Sequence, residues 1–500
     1  MTAHGLSKSR IIAWKQCPKR LWLQMYQRDL AEESTQTKQA FKTGNEVGKI
    51  AQQLCPNGIL IENDDNLSAA INATREAISN YPHRPIFEAT FQHEGLLVRA
   101  DVLLPTANGY RMSEVKSKAC VKPYHVDDCA VQAWVLKKNK IPLASVELVH
   151  IETSFVYRGD GNYHGLFKFV RLDEEIKPLM GKVSAWVKGA RLTLSGEEPA
   201  IEPGMQCNNP FKCPFKAYCT RDMVLPKEPK YPLDILYGIH KEKKAELCSK
   251  GYTDARKVPP QYLNERQRWI QRVSKKGKPE LLEGAAEKLA GLSYPRYYLD
   301  FETISPVVPR WAQSQPSTTK VPFQWSCHIE YAPGQLSHEM FLDVSGNDPR
   351  RALSKAMIKA LKNEGPVIVY SQGFEKSRIS ELANLFPDLA RKLQLIKDRV
   401  VDLLPITRQY YYHPDMKGSW SLKAVLPTVA PDLQYSSMEV GNGEEAQIAY
   451  LEIIHPDTPE LRMKELTEGL REYCTLDTLA MVRLVWLFEG NTNFNDCGGK

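Results

Sequence analysis

Apolar and polar residues alternate along residues 86–104 (IFEATFQHEGLLVRADVLL). Because successive side chains of a strand point to opposite faces, this period of two predicts a β-hairpin with its turn at His93 to Gly95. Another strand is predicted in YRMSEVKSK (110–118), followed by a largely apolar helix in HVDDCAVQAWVLKK (125–138). These patterns predict a strand-rich core with a helix following it.

Strands and helices alternate in the second half of the chain. Strands are predicted in PRYYLDFET, FQWSCHIEY, PVIVY and VVDLL, and helices over 350–363, 375–394, 421–428 and 460–487. This order predicts a mixed α/β layer fold.

Three prolines stand among charged residues in TRDMVLPKEPKYPLDI (220–235), which is typical of a linker. We therefore predict a first domain over 1–225 and a basic helical segment over 226–290. The segment shows the helix, glycine turn and helix pattern of DNA-backbone-binding hairpins. A second domain is predicted over 291–490, with a frayed tail at 491–500.

The composition is that of a globular protein, with 42% apolar and 25% charged residues among 500. No apolar stretch reaches the roughly 18 residues that cross a membrane. The start of the chain lacks the apolar core of a signal peptide, and 11 cysteines, an odd number, do not suggest a secreted disulfide framework. We expect a cytoplasmic protein without a membrane partner.

The formal net charge is +7, and the basic excess lies in the first half of the chain and in residues 231–290, which include RVSKKGK. Such an excess is typical either of an ordinary solvated face or of a surface that binds the phosphate backbone. DNA is the expected partner, with RNA as the alternative.

Asp101 interrupts the β-forming hairpin, and Glu114 and Lys116 stand two apart on the next predicted strand. Two carboxylates can hold a divalent cation while a lysine orients the attacking water. An exposed hairpin with an ordinary Glu–Lys pair is the alternative. With Gln132 on the following helix, the pattern resembles the RecB-like branch of the PD-(D/E)XK nucleases. That resemblance implies that Asp101, Glu114, Lys116 and Gln132 are catalytic and that both acids bind metal.

Four cysteines form the second motif: Cys17 in a helix interrupted by Cys-Pro, and Cys207, Cys213 and Cys219 in CNNPFKCPFKAYC. Four thiolates suit either zinc or an iron–sulfur cluster. One cysteine before the nuclease core and three after it resemble the iron–sulfur RecB-like nucleases. The resemblance implies a structural [4Fe-4S] cluster, and zinc is the alternative.

The third motif places Asp300 and Glu302 on one face of a predicted strand, and Tyr473 and Asp477 one turn apart on the last helix. Glu375 opens an intervening helix. This order resembles the tyrosine-containing DEDD exonucleases of the RNase H-like superfamily. It implies that the four acids hold Mg²⁺ or Mn²⁺ and that Tyr473 positions water. Glu375 stands where the family usually has aspartate, and Asp402 is a rival ligand.

Over nearly the whole chain the motifs resemble the bacterial family called domain of unknown function 2779. The resemblance implies a PD-(D/E)XK restriction-endonuclease-like core and an RNase H-like domain, joined by a small helical segment. The expected function is a metal-dependent DNA nuclease, an exonuclease with two active sites, in DNA processing, repair or defence against mobile elements. The alternatives are a nucleic-acid-binding scaffold with one or both sites inactive, and an exonuclease acting on RNA.

Overall fold

The computed structural model describes residues 5–32, 34–62, 66–223, 228–433 and 438–491. The chain divides into two units, one formed by Met1–Val224 with Ser305–Thr319 and the other by Leu225–Ile304 with Lys320–Lys500. The predicted boundary at 225/226 and nearly all of the predicted tail lie outside the described residues. The mixed α/β fold predicted from the sequence is confirmed for this part of the chain.

The first unit is built on a mixed sheet. The strand order is β2-β3-β4-β5-β6-β7, and the short β1 pairs in parallel with β4. The predicted hairpin and the strand after it are confirmed as β3, β4 and β5, which pair antiparallel. The strands are Leu6–Ser7 (β1), Ile59–Leu60 (β2), Ile86–His93 (β3), Leu96–Thr106 (β4), Gly109–Lys116 (β5), Leu143–Ile151 (β6) and Phe167–Arg171 (β7).

Helix α5 packs into the main apolar core of this unit, in which Cys129 to Val131 and Ala133 to Leu136 are buried. The predicted interruption at Cys17 is confirmed, because Cys17 is extended and separates α1 from α2. Proline fits the first position of α2, where its missing N–H costs no helical hydrogen bond. The helices are Lys8–Gln16 (α1), Pro18–Tyr26 (α2), Thr35–Gln53 (α3), Leu67–Asn80 (α4), Pro123–Lys138 (α5), Asp173–Ser195 (α6) and Lys216–Thr220 (α7).

Helix α1 packs against α6, and the two helices come close where Trp14 meets Gly189. A Cβ on Gly189 would stand 2.4 Å from Cζ2 of Trp14, so only glycine fits beneath this ring. The Trp14 indole N–H also donates to Thr193 Oγ1 at 3.0 Å. These contacts fix α1, which begins at Lys8 and leads to Cys17.

Residues 305–319 belong to the first unit although they come from the second half of the chain. Ser314 bridges to Tyr157, and Arg310 donates to Glu46 at 3.1 Å. Val308 joins an apolar cluster with Val47 of α3. Residues 305–319 of the loop-like stretch SPVVPRWAQSQPSTTKVP therefore pack within the first unit, whereas Lys320 and the residues after it belong to the second.

The second unit contains a five-stranded mixed sheet in the order β11-β10-β9-β12-β13. Strands β9, β10 and β11 pair antiparallel, whereas β9, β12 and β13 pair in parallel. A separate pair joins β8 to β14. The strands are Glu280–Leu281 (β8), Arg296–Ile304 (β9), Val321–Ala332 (β10), Gln335–Leu342 (β11), Val367–Val369 (β12), Val400–Asp402 (β13) and Tyr411–Tyr412 (β14).

The helices of the second unit follow the prediction in part. The helices at Leu403–Tyr410 and Gly443–Ile453 were not predicted, and the strand predicted in VVDLL is wrong at Leu403 and Leu404, which begin the first of these helices. The single helix predicted over 375–394 is wrong, because the helix ends before Pro387 and a second one starts at Ala390. The helices are Lys241–Ser249 (α8), Glu265–Lys276 (α9), Ala285–Leu289 (α10), Arg350–Leu361 (α11), Gln372–Leu385 (α12), Ala390–Asp398 (α13), Leu403–Tyr410 (α14), Leu422–Val429 (α15), Gly443–Ile453 (α16) and Glu460–Phe488 (α17).

The basic helical segment shares an apolar core with the rest of the second unit. Trp269, Ile270 and Val273 of α9 pack in one cluster with Trp420 and Val485. In the part of the chain that the structure describes, no helix combines the length and apolar character that crossing a membrane requires.

Candidate metal sites

Three carboxylates converge in the second unit. Asp300 and Glu302 lie two residues apart on β9 and therefore share one face of the strand. Asp477 comes from the buried face of α17. One oxygen from each of the three lies within 4.8 Å of the others. The structure thus brings together acids that lie about 175 residues apart in the sequence.

Burial and mutual repulsion make this cluster electrostatically costly. Burial raises the pKa of Asp300 well above its usual value, and the charges of Asp477, Glu302 and Glu375 raise it further. Burial and Asp477 raise the pKa of Glu302 to about 8, against a smaller opposing effect of Lys423. Carboxylates held in this way favour protons or cations between them.

Glu375 lies at the start of α12 and is only 2% exposed. Burial raises its pKa to about 8, and its Oε2 has no hydrogen-bond partner in the described structure. A buried oxygen without a partner is costly unless a ligand satisfies it. The charge of Glu375 also raises the pKa of Asp300, although Glu375 is not among the three acids whose oxygens lie within 4.8 Å of one another.

Tyr473 is buried one turn before Asp477 on α17. The Lys423 ammonium lies 4.9 Å from the centre of its ring. Lys423 also lowers the pKa of Glu302, which places this lysine beside the cluster. The sequence patterns did not indicate Lys423.

Asp402, the rival ligand, has a structural role at two helix ends. Its carboxylate accepts hydrogen bonds from the backbone N–H groups of Ser371 at 2.9 Å, Gln372 at 3.1 Å and Leu404 at 3.0 Å. It therefore caps α14 and holds the start of α12.

A buried polar layer fixes α17 against the sheet. Thr478, next to Asp477, contacts Ser326 Oγ at 2.9 Å and His328 Nδ1 at 2.8 Å through its hydroxyl. Ser326 is the strand partner of Asp300. These hydrogen bonds set the separation between Asp477 and the two acids of β9.

The first unit brings together the residues predicted from the hairpin and the following helix. Lys116 donates to Glu114 Oε1 at 2.5 Å, and Gln132 donates to Glu114 Oε2 at 2.6 Å. Asp101 accepts from the backbone N–H of Val115 at 2.7 Å. Asp101, Glu114, Lys116 and Gln132 thus form one contiguous polar cluster between the sheet and α5.

Two further residues complete this cluster. Lys8, at the start of α1, donates to both oxygens of Glu114 at 2.9 Å and lies 4.0 Å from Asp101 Oδ1. Asp128 of α5 accepts from Lys116 at 2.9 Å. Three carboxylates and two ammonium groups therefore share the site. Neither Lys8 nor Asp128 was predicted, because Lys8 is about 90 or more residues from its partners and Asp128 resembles a surface residue of the helix.

The charges of this first site differ from those of the second. Burial and the charge of Glu114 raise the pKa of Asp101 to about 7, although Lys8 and Lys116 oppose the shift. Burial alone would raise the pKa of Glu114, but Lys116 and Lys8 outweigh it and hold the pKa below its usual range. Lys8 therefore stands where a cation between Asp101 and Glu114 would stand.

All four cysteines of the second motif line one pocket in the first unit. Cys17 comes from the junction of α1 and α2, and the backbone N–H of Cys213 donates to the carbonyl of Cys207 at 2.8 Å. The Gln16 side chain holds the segment between Cys207 and Cys213 in place. Its amide donates to the carbonyls of Gln206 and Phe211, both at 2.7 Å. The structure thus gathers thiols that lie about 200 residues apart in sequence.

The spacing of the thiols bears on the choice of metal. Among the described residues, the only group of three or more His, Cys, Asp or Glu ligand atoms within 4.8 Å of one another is Asp300, Glu302 and Asp477. No three of the four thiols are therefore that close. Tetrahedral zinc with bonds of about 2.3 Å requires sulfur atoms about 3.8 Å apart.

Residues 297–421 match the family model described as "Domain of unknown function (DUF2779)". The match covers β9 through Ser421 and is consistent with the predicted resemblance in this region. It includes Asp300, Glu302 and Glu375 but ends before Tyr473 and Asp477.

A curated relative, "Uncharacterized protein UU173" of Ureaplasma parvum serovar 3, is 25% identical over 232 residues. The alignment covers 42% of this chain and 33% of the relative, so the chain spans about one third of that protein's length. A solved structure described as "Crystal structure of SSO0001" aligns with 45% of this chain and 90% of its own, at 13% identity and a TM-score of 0.23. A similarity at that TM-score does not define a fold.

Proposed function

We propose that this chain is a metal-dependent nuclease that hydrolyses DNA phosphodiester bonds. The observation that carries the proposal is the mutual approach of Asp300, Glu302 and Asp477 within 4.8 Å, in a mostly buried site. Burying acids without a cation is unfavourable, and oxygen-only ligands suit Mg²⁺ or Mn²⁺. Together with Glu375 and Tyr473, these three acids make up the residue set of a DEDD type of exonuclease, which supports that type.

The sheet of the second unit supports an RNase H-like fold. In sequence order, its strands are arranged third, second, first, fourth and fifth, with three antiparallel strands followed by two parallel ones. The first and central strand carries Asp300 and Glu302, as expected for this superfamily. The hairpin, β5, β6 and α5 of the first unit likewise support a PD-(D/E)XK core.

Each residue of the second site has a proposed role. Asp300, Glu302, Asp477 and Glu375 would hold the divalent ions, which supply charge stabilisation to an attacking and a leaving oxygen. Tyr473 orients the water that attacks the phosphodiester. The buried Oε2 of Glu375 fits a ligand role, because it has no hydrogen-bond donor in the described structure.

The first site supports a second nuclease centre less directly. Asp101 and Glu114 would hold a cation, Lys116 would orient water, and Gln132 already positions Glu114. Lys8 favours the alternative that this site is inactive as it stands, because its ammonium occupies the space between the two acids.

The pocket of Cys17, Cys207, Cys213 and Cys219 fits a [4Fe-4S] cluster better than zinc. Thiols farther apart than a single zinc ion allows suit a cluster, in which iron and sulfide ions separate the thiolates. The cluster would have a structural role, because it would join the start of the first unit to its end.

Cleavage of 5′- and 3′-labelled single- and double-stranded DNA with Mn²⁺ or Mg²⁺ tests the proposal. We expect stepwise loss from one end, abolished in Asp300→Ala and unchanged in the control Asp457→Asn, an exposed acid. If Asp300→Ala removes all cleavage and Lys116→Ala removes none, the first site is inactive. Binding without cleavage under either ion contradicts the nuclease proposal and favours a scaffold.

A further inference from the structure

An exposed aromatic ring lies between two arginines in the second unit. Tyr237 is 38% exposed, and the guanidinium carbons of Arg266 and Arg408 lie 5.6 and 5.5 Å from its ring centre. The buried Trp420 supports Tyr237 edge-on, at 5.4 Å between ring centres. We call Tyr237, Arg266, Arg408 and Trp420 the Tyr237 platform.

The two arginines differ from most of the basic residues around them. Lys243, Lys244, Arg256 and Arg272 form ion pairs with Glu246, Asp234, Asp254 and Glu280. Within the described parts of the chain, neither Arg266 nor Arg408 pairs with a carboxylate. Arg266 and Arg408 therefore add to the Tyr237 platform two positive charges that no carboxylate offsets.

The platform is built on elements that also position the acid site. Arg408 belongs to α14, whose cap Asp402 binds the first backbone N–H groups of α12, the helix that carries Glu375. Tyr370, two residues before α12, donates its hydroxyl to the Trp420 carbonyl at 2.7 Å. A strand on the platform would thus lie on the same framework as Glu375.

We propose that the Tyr237 platform binds single-stranded DNA. Arginines without carboxylate partners attract phosphates, and an exposed aromatic ring offers a stacking surface for an unpaired base. A duplex keeps its bases stacked internally and cannot use that ring. The proposal rests on the proposed nuclease function, and it assigns single strands as the substrate class.

Fluorescence anisotropy of a labelled oligo(dT) with the full chain, without divalent cations, measures binding apart from cleavage. We expect Tyr237→Ala to weaken binding about tenfold and Tyr237→Phe to retain it, since stacking does not need the hydroxyl. In Arg266→Met/Arg408→Met, loss of two phosphate contacts should reduce the slope of log K against log salt by about 1.4. The control is Arg272→Met. It removes one charge from α9, the helix that carries Arg266, but changes no residue of the platform.

Equal binding by Tyr237→Ala and wild type, or equal weakening in Arg272→Met, overturns the proposal. Tighter binding of duplex DNA or of oligo(U) than of oligo(dT) overturns the assignment to single-stranded DNA. Thermal melting of each variant shows whether it is folded, and Tyr237→Phe separates loss of the ring from loss of structure. Platform-dependent binding without cleavage would refute the nuclease function while leaving the platform as a binding surface.

Discussion

Lys8 is the residue that would decide whether the proposed first site binds a metal ion. Its ammonium bonds both oxygens of Glu114 and offsets the charge of Asp101. In Lys8→Met we expect the metal-free protein to lose about 1–3 kcal/mol of stability, because Glu114 loses a charged partner in a site that is partly screened by solvent. Mn²⁺ should restore this loss, which thermal denaturation with and without the ion measures.

Lys15→Met is the matched control for this prediction. Lys15 lies on the same helix, pairs with Asp127 at 2.5 Å and has a similar exposure, but it does not touch the predicted metal ligands. If Mn²⁺ stabilises the two variants equally, Lys8 does not occupy a cation site.

The raised pKa values of Glu302 and Glu375 predict how the stability of the protein depends on pH. The pKa of each rises to about 8 in the folded protein, from an ordinary value near 4.5. Between these values the folded state binds more protons than the unfolded state, so the free energy of unfolding falls as pH rises. We expect Mn²⁺ to raise the melting temperature more at pH 8 than at pH 5.5, where protons compete with the ion.

Glu302→Gln should flatten the pH dependence of the metal-free protein, because the amide cannot be ionised. Its gain from Mn²⁺ at pH 8 should also fall well below that of wild type. If the unfolding free energy of this variant depends on pH as that of wild type does, Glu302 is not a source of the pH dependence.

At the scale of elements, the geometry of the second site depends on how α17 sits on β9 and β10. Thr478→Val keeps the shape of the side chain but leaves Ser326 and His328 without its hydroxyl. We expect a loss of about 1–3 kcal/mol in urea denaturation and a lower kcat, since Asp477 shifts relative to Asp300. Thr467→Val, which loses only a bond to the Met463 carbonyl on the same helix, should change both much less.

The elements themselves were largely predictable from local pattern. Alternation predicted β3, β4 and β5, and the apolar run predicted α5, because those residues are buried on a fixed period. Strand β11 was missed because its exposed, polar sequence at the sheet edge lacks an apolar signal. Helix α16 was also not predicted.

The candidate sites were predictable only in part, for a physical reason. Asp300 and Glu302 are two apart, and Tyr473 and Asp477 are four apart, so a strand and a helix bring each pair together locally. Lys8 reaches Glu114 only because the two-residue β1 pairs with the start of β4. Such long-range pairing leaves no periodic trace in the sequence.

At the scale of the whole molecule, each described apolar core belongs to one unit. The clusters around α5 and around Val308 contain residues of the first unit, whereas those around Trp269, Trp325 and Leu426 contain residues of the second. Separate cores predict two unfolding transitions in calorimetry.

The cysteine pocket belongs to the first unit. Loss of the proposed iron–sulfur cluster should therefore affect only the unfolding transition of that unit. We expect anaerobically purified wild type to show a broad band near ~400 nm and Cys213→Ser to lose it. Releasing a crosslink over about two hundred residues should cost about 4 kcal/mol or more, which lowers the corresponding melting temperature by roughly 10 °C. Cys120→Ser, which changes an exposed thiol of the same unit, should keep both colour and transition. A colourless, zinc-loaded wild type would contradict the cluster, and equal shifts of both transitions in Cys213→Ser would contradict separate cores.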